Sequence, residues 1–331
     1  MSSSSVNFEI LEKYASQYES CQDSVGLIKG FWNDRLWYQL SEEVLKFLQL
    51  AIFDANADAI QLYNDFIKHF HSKINQLVLI QICQRVASTF ANSAEAIVFL
   101  ESITATVESH KEATLFNNVL IGQLQLATKG EGINKAWDII DATQKELEKL
   151  SDISAILHSE FYKLTSEYYL TKADYGLYYH NALRYLSYTN EETLSDNYKK
   201  QLSYQLVIAV LVGREIFNMG ELVEQKVLKS LEGTEHDFLY QLIKACDVGD
   251  TSAYDSLIAS NQDRINNIPE ISRNLTLIKE KVSILGLVEL VFQRSKGERN
   301  IPFSLIAERS KISSDEVELL AMRTMRLGLI K

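Results

Sequence analysis

Six histidines and three cysteines are the side chains of this sequence best suited to chemistry. Among them only "HFH", His69 and His71, is spaced like a pair of zinc ligands. A metalloprotease of the H-x-H type also needs a serine after seven further residues and an aspartate three positions beyond that. Leu79 and Ile82 occupy those positions, and neither can bind a metal or carry a proton. The pair also falls in a segment of helical periodicity, where residues two apart point in different directions. His110, His158, His180 and His236 have no ligand-spaced Cys or Asp beside them. Cys21, Cys83 and Cys246 are far apart and form no CxxC, which implies reduced, mostly buried thiols. Phosphate-binding G-x-x-x-x-G-K-[ST], G-x-G-x-x-G and the nucleophile elbow G-x-S-x-G are all missing. "EGTEHD" at 232–237 gathers acids around His236 but reads as a solvated turn. The expectation is no active site: no catalytic residue, no cofactor, no metal and no small-molecule substrate.

The elements that would position any site are helical. With 2 prolines and 13 glycines in 331 residues, long helices can run unbroken, and an all-β chain would need more turn residues. A 46% hydrophobic content over this length supports a large core and more than one structural unit. Net charge is −11 without a compensating basic tail, which repels phosphate and argues against nucleic acid as the main partner. "MSSSSVNFEI" lacks the basic and apolar regions of a signal peptide. No apolar run reaches about 18 residues, so no membrane span is expected. A cytoplasmic and nuclear location follows as an expectation.

In "RLWYQLSEEVLKFLQLAI", Leu36, Leu40, Val44, Leu45, Leu48 and Ile52 make one helical stripe, with Glu42 and Lys46 four apart on the far side. Phe66, Phe70, Ile74 and Leu77 continue the pattern. A loose repeat follows: residues 115–141 and 156–186 each read helix, turn, helix, with Thr171-Lys172 43 positions after Thr128-Lys129. Ala136 and Ala182 stand where a small side chain allows close helix crossing. Two later segments, 211–231 and 240–260, repeat the plan less regularly. A period of about 40 residues is that of stacked helix pairs. The fold class expected is all-α: a right-handed, tetratricopeptide-like helical-repeat solenoid. The many aromatics of 161–188 then read as solenoid core rather than a base-stacking surface.

The last stretch, "IPFSLIAERSKISSDEVELLAMRTMRLGLIK", reads as a short strand, a short helix, a turn, a longer helix and the start of a second strand. That is the front half of a winged helix. "GERNIPF" at 297–303 marks the boundary before it, and a long helix from about Leu275 to Arg294 leads in. Ser313 and Glu316 form a capping box. Val317, Leu320, Ala321, Thr324 and Leu327 form the inward face, and Gly328 falls at the stop position. A DNA reader presents the first turns of this helix to the groove. Here they carry Asp315, Glu316 and Glu318, so the unit is expected to dock proteins instead.

A helical arm ending in a winged helix resembles the PCI fold. The phrases at 30–47, 62–77, 218–250 and 301–331 narrow the resemblance to the PCI-domain lid subunits of the 26S proteasome regulatory particle. The resemblance implies a helical-repeat arm over 1–200 and a PCI module over 201–331, its helical part 201–296 and an incomplete winged helix 297–331. It implies a non-catalytic scaffold, with other PCI subunits and the metalloprotease-fold subunits of the lid as partners. Alternatives are a PCI subunit of the signalosome or of translation initiation factor three, or a stand-alone nucleic-acid binder. In relatives a His-Pro pair follows "GELV"; here Gln225 and Lys226 stand in its place. The chain stops at Lys331, before a wing and a C-terminal helix, so a truncated chain that incorporates poorly into the lid is expected. By position, docking is expected at the edge Ile301, Pro302, Phe303 and Ser304. The neighbouring face is expected to contribute Glu308, Arg309, Lys311, Arg323 and Arg326.

Overall fold

A computed structural model describes residues 8–50, 58–128, 130–294 and 300–330. Ile52 of the first stripe, Lys129 of the repeat and residues 297–299 of the expected boundary lie outside the described residues. All regular structure among them is helical. The chain divides into two compact units between Tyr168 and Tyr169.

The first unit opens with α1 (Glu9–Gln17), α2 (Glu19–Asn33) and α3 (Trp37–Leu48). The expected stripe of α3 forms: Leu40, Val44 and Leu48 are buried, while Leu36 at its N-cap is exposed. Lys46 reaches Glu43 at 3.8 Å, three residues back, and not the expected Glu42; both spacings are neighbours on a helix surface. After α4 (Asp58–Asp65) the periodic segment does not continue as one helix. It breaks into two 3₁₀ turns, Ile67–His69 and His71–Lys73, before α5 (Gln76–Ser88), which Asn75 caps by accepting from the Leu77 N–H. The core explains the break. Phe66, Phe70 and Ile74 are all buried, and Phe70 packs on Trp32, Trp37 and Phe66.

Three further helices follow, α6 (Ser93–Val107), α7 (Lys111–Thr128) and α8 (Glu131–Leu147), and then α9 (Ala155–Thr171). Between α7 and α8, Gly130 turns the chain at a φ of 58°. Ala136 is fully buried. Buried Asn117 of α7 donates its amide to the Leu100 carbonyl and to Thr104, each at 3.0 Å. These bonds satisfy the amide nitrogen, whose burial would otherwise be costly. Glu160 of α9 accepts from Gln84 of α5 at 2.9 Å and from Gln123 of α7 at 2.8 Å.

The second unit holds α10 (Tyr175–Tyr188), α11 (Asp196–Val212), the single turn α12 (Gly220–Val223), α13 (Asp237–Asp247) and α14 (Thr251–Ser260). Two short helices, α15 (Gln262–Asn266) and α16 (Pro269–Ser272), lead to α17 (Leu275–Phe292). Asp174, Ser195 and Asp250 cap α10, α11 and α14 with their side-chain oxygens. Tyr178, Tyr179, Ala182 and Tyr185 of α10 are buried, which places these aromatics in core. Residues 226–231 form a 3₁₀ segment rather than the expected full helix. The Ser203 hydroxyl of α11 fixes it by donating to the Val227 carbonyl at 2.7 Å.

Gly249, at a φ of 65°, lets the α13–α14 turn touch the α17 backbone. A Cβ there would stand 2.2 Å from the Gly286 nitrogen. The chain ends with α18 (Phe303–Ser310), a 3₁₀ turn Ser314–Glu316 and α19 (Val317–Arg326). The capping box forms, with the Ser313 N–H donating to Glu316 at 3.2 Å, and Gly328 has a φ of 72°. The expected strand at 301–304 does not form: Pro302 is the N-cap of α18, and Phe303 and Ser304 lie in its first turn. A strand is held by a neighbour's backbone groups, and the described residues contain no such neighbour. Leu327, expected on the inward face, is the exposed C-cap of α19. Having left the helix, it leaves the stripe as well.

Candidate functional site

The histidine pair is divided between two turns. His69 and His71 flank buried Phe70 and belong to separate 3₁₀ turns, so H-x-H is what two turns leave around one core anchor. Among the described residues no three His, Cys, Asp or Glu side chains gather in a way that could hold a metal. His236 is half-buried, with its Nε2 3.4 Å from a Glu235 carboxylate oxygen and its ring 4.6 Å from the Tyr204 ring. The three cysteines are buried and form no disulfide. Burial pushes the Cys83 thiol up and the Cys246 thiol up to about 12, the wrong direction for a thiolate nucleophile. A depression of about 780 Å³ beside the α9–α10 turn brings together Lys172, Asp174, His180, Arg214 and Glu215. It mixes both charge signs without a nucleophile–base pair.

The surface at the end of the chain is built differently. Long helix α17 is its platform. Ser283 and Ser310, both buried, exchange hydroxyl-to-carbonyl hydrogen bonds at 3.2 and 3.4 Å where α18 crosses α17. Thr251 at the start of α14 donates to the Arg309 carbonyl at 2.9 Å. Ile306, Val317 and Leu320 close an apolar cluster with Ile284 and Leu287, and Ile301, Ala307 and Leu329 pack at its edge. Two cations then clamp the assembly. Lys311, left-handed at a φ of 50°, pairs with Asp255 at 3.1 Å, and Arg323 pairs with Glu280 of α17.

The residues expected to dock partners therefore separate by environment. Ile301 is half-buried against the terminal cluster. Pro302, Phe303 and Ser304 are exposed at the start of α18, with Phe303 54% exposed. Glu308 and Arg309 are exposed further along the same helix, while Lys311 and Arg323 are engaged by acids of their own chain. Arg326 is exposed at the end of α19. One set escaped the sequence reading: Leu319, Met322 and Met325, 51%, 61% and 54% exposed, form an apolar stripe on the outer side of α19. Its signal was present in the sequence. Once Val317, Leu320 and Thr324 are assigned inward, residues at 319, 322 and 325 must point away. At the N-terminal end of α19, Asp315, Glu316 and Glu318 are all exposed, so a phosphate backbone approaching these turns meets carboxylates.

Among the described residues no helix is long and apolar enough to cross a membrane. The family model described as PSD13 N-terminal repeats matches residues 25–243. Similarity extends further than that model. The 26S proteasome non-ATPase regulatory subunit 13 of Dictyostelium discoideum is 31% identical over 98% of this chain and 84% of its own length. The probable 26S proteasome regulatory subunit rpn9 of Schizosaccharomyces pombe is 31% identical over 94% of this chain and 80% of its own length. A translation initiation factor 3 subunit M from Nematostella vectensis matches 38% of this chain at 29% identity.

Proposed function

The chain belongs to the family of 26S proteasome non-ATPase regulatory subunit 13, and from that premise we propose that it acts as a non-catalytic scaffold of the regulatory-particle lid. Its contribution to ubiquitin-dependent protein degradation is made through protein–protein contacts. The observation that carries this reading is similarity running along 98% of the chain, well beyond the partial match to the initiation-factor subunit. The physical character of the molecule supports it: buried, raised thiols, histidines used as packing or turn residues, and a terminal unit whose outer faces mix apolar and charged side chains.

The N-terminal arm, 1–200, and the module, 201–331, divide the work between reach and docking. Partners are the other PCI subunits and the metalloprotease-fold subunits of the lid, in cytoplasm and nucleus. Docking uses Ile301, Pro302, Phe303 and Ser304 together with Glu308, Arg309 and Arg326. Lys311 and Arg323 hold the surface in shape through Asp255 and Glu280. Affinity purification of the tagged chain from cells, with mass spectrometry of what accompanies it, tests the reading. Recovery of lid subunits in comparable amounts is expected; nucleic-acid machinery, or no lid subunit at all, overturns it.

A further inference from the structure

The turn that opens α19 reads "SSDEVE", residues 313–318. Asp315, Glu316 and Glu318 follow Ser313, and apart from its neighbour Ser314 no serine or threonine of the chain has three carboxylates among the five residues after it. Ser313, Ser314 and the three acids are exposed. Other hydroxyls with an acid three residues on are differently placed. Thr143 is buried, and its acid Glu146 is paired with Lys149 at 2.6 Å. Thr189 is half-buried and gives its hydroxyl to the Tyr185 carbonyl at 2.8 Å. Ser252 is exposed, but its acid Asp255 is taken up by Lys279 and Lys311.

We propose that Ser313 is the phosphoryl acceptor for an acid-directed protein kinase, and that its phosphorylation opens the cap of α19. Kinases discriminate substrates by complementary charge, and an acid-directed one reads the carboxylates that follow the acceptor, the third residue above all. For Ser313 that residue is Glu316; for Ser314 it is Val317, apolar and buried. Ser313 also has an extended backbone, with φ −68° and ψ 151°, whereas Ser314 already lies in the 3₁₀ turn. From Ser313 to Glu316 no side chain is buried, and the end of a helix is where local opening costs least.

In the transfer, the γ-phosphoryl group of ATP forms a bond to Ser313 Oγ and its bond to the β-phosphate oxygen breaks. ADP leaves, and the hydroxyl proton passes to the kinase's catalytic carboxylate. Glu316 now accepts from the Ser313 hydroxyl at 3.0 Å and from its N–H at 3.2 Å. After transfer that hydroxyl proton is gone, and a group of about −1.5 to −2 charge stands against the carboxylate instead. The capping box gives way. The inference does not rest on the proteasome reading.

Incubation of the folded, purified chain with ATP and an acid-directed serine kinase, followed by site-mapping mass spectrometry, tests it. A phosphoryl group on Ser313 is expected. Glu316→Gln should slow its incorporation at least tenfold. That variant also loosens the cap and frees the hydroxyl, so a slower rate reports lost recognition and not lost access. Hydrogen exchange over residues 314–318 should be faster in the phosphorylated chain than in the unmodified one. An unmodified Ser313, incorporation that Glu316→Gln leaves unchanged, or exchange that phosphorylation does not quicken overturns the proposal.

Discussion

Lys281 is 1% exposed, and its ammonium donates to the carbonyls of Val210 and Gly213 at 2.5 and 2.9 Å, the groups that α11 leaves open at its C-terminal end. The Phe217 ring lies 5.6 Å from the charge. Burial lowers its pKa from 10.5 to about 8, with the neighbouring Cys246 thiol acting weakly the other way. A folded pKa below the unfolded one means that the unfolded chain binds more protons between those two values. This group's contribution to stability therefore rises as pH climbs from about 8 toward 10.5, and its full cost is felt below about 8. At about 1.36 kcal/mol for each pKa unit, the swing is at most about 3 kcal/mol. Urea unfolding of the parent and of Lys281→Met at pH 7 and pH 10 checks the sign. The parent should gain on the variant as pH rises, and a constant difference would contradict the account. At neutral pH the variant should be less stable by about 1–3 kcal/mol, because the Val210 carbonyl loses its donor and the Gly213 carbonyl keeps only the Ile216 N–H at 3.4 Å.

At the scale of elements, the terminal surface depends on how α17 receives its neighbours. The α13–α14 turn rests on it backbone to backbone at Gly249 and Gly286, and α18 crosses it at Ser283 and Ser310. Gly249→Ala places a Cβ 2.2 Å from the Gly286 nitrogen and asks an L-residue to hold a φ of 65°. The turn must lift from α17, so a loss of more than about 2 kcal/mol is expected in denaturant unfolding. Faster hydrogen exchange along α14 and α18 should accompany it, because Thr251 ties those two elements together. Gly286→Ala meets only the Gly249 carbonyl, at 2.9 Å, on an ordinary helical backbone, and should cost less. Equal losses for the two variants would show that the left-handed turn is not what matters.

For the whole molecule the balance of charge decides which macromolecules can be partners. Net charge is −11, and the helix that a winged-helix DNA reader would insert begins with exposed Asp315, Glu316 and Glu318. Binding to a labelled duplex, measured from low to physiological salt, should stay weaker than about 10⁻⁴ M once salt reaches the physiological range. Tight binding whose affinity falls steeply with added salt would instead reveal a phosphate-contacting surface and undo the protein-docking account. The same acidic character leaves protein surfaces as the partners that the exposed apolar residues of α18 and α19 can meet.

Local periodicity by itself determined the helical character, the α3 stripe of Leu40, Val44 and Leu48, the burial of Ala136 and Ala182, and the capping box of Ser313 and Glu316. Each depends on residues within a few turns of one another, where side-chain spacing is fixed by the helix itself. Tertiary structure alone decided the rest. Phe70 broke a periodic segment into two turns, Lys281 found carbonyls 68 and 71 residues away, and Ser283 met Ser310 across a helix crossing. Ile301 is set in a helix approach instead of a strand, because a strand exists only with a neighbour to pair with, and no neighbour is written into the residues of the strand itself.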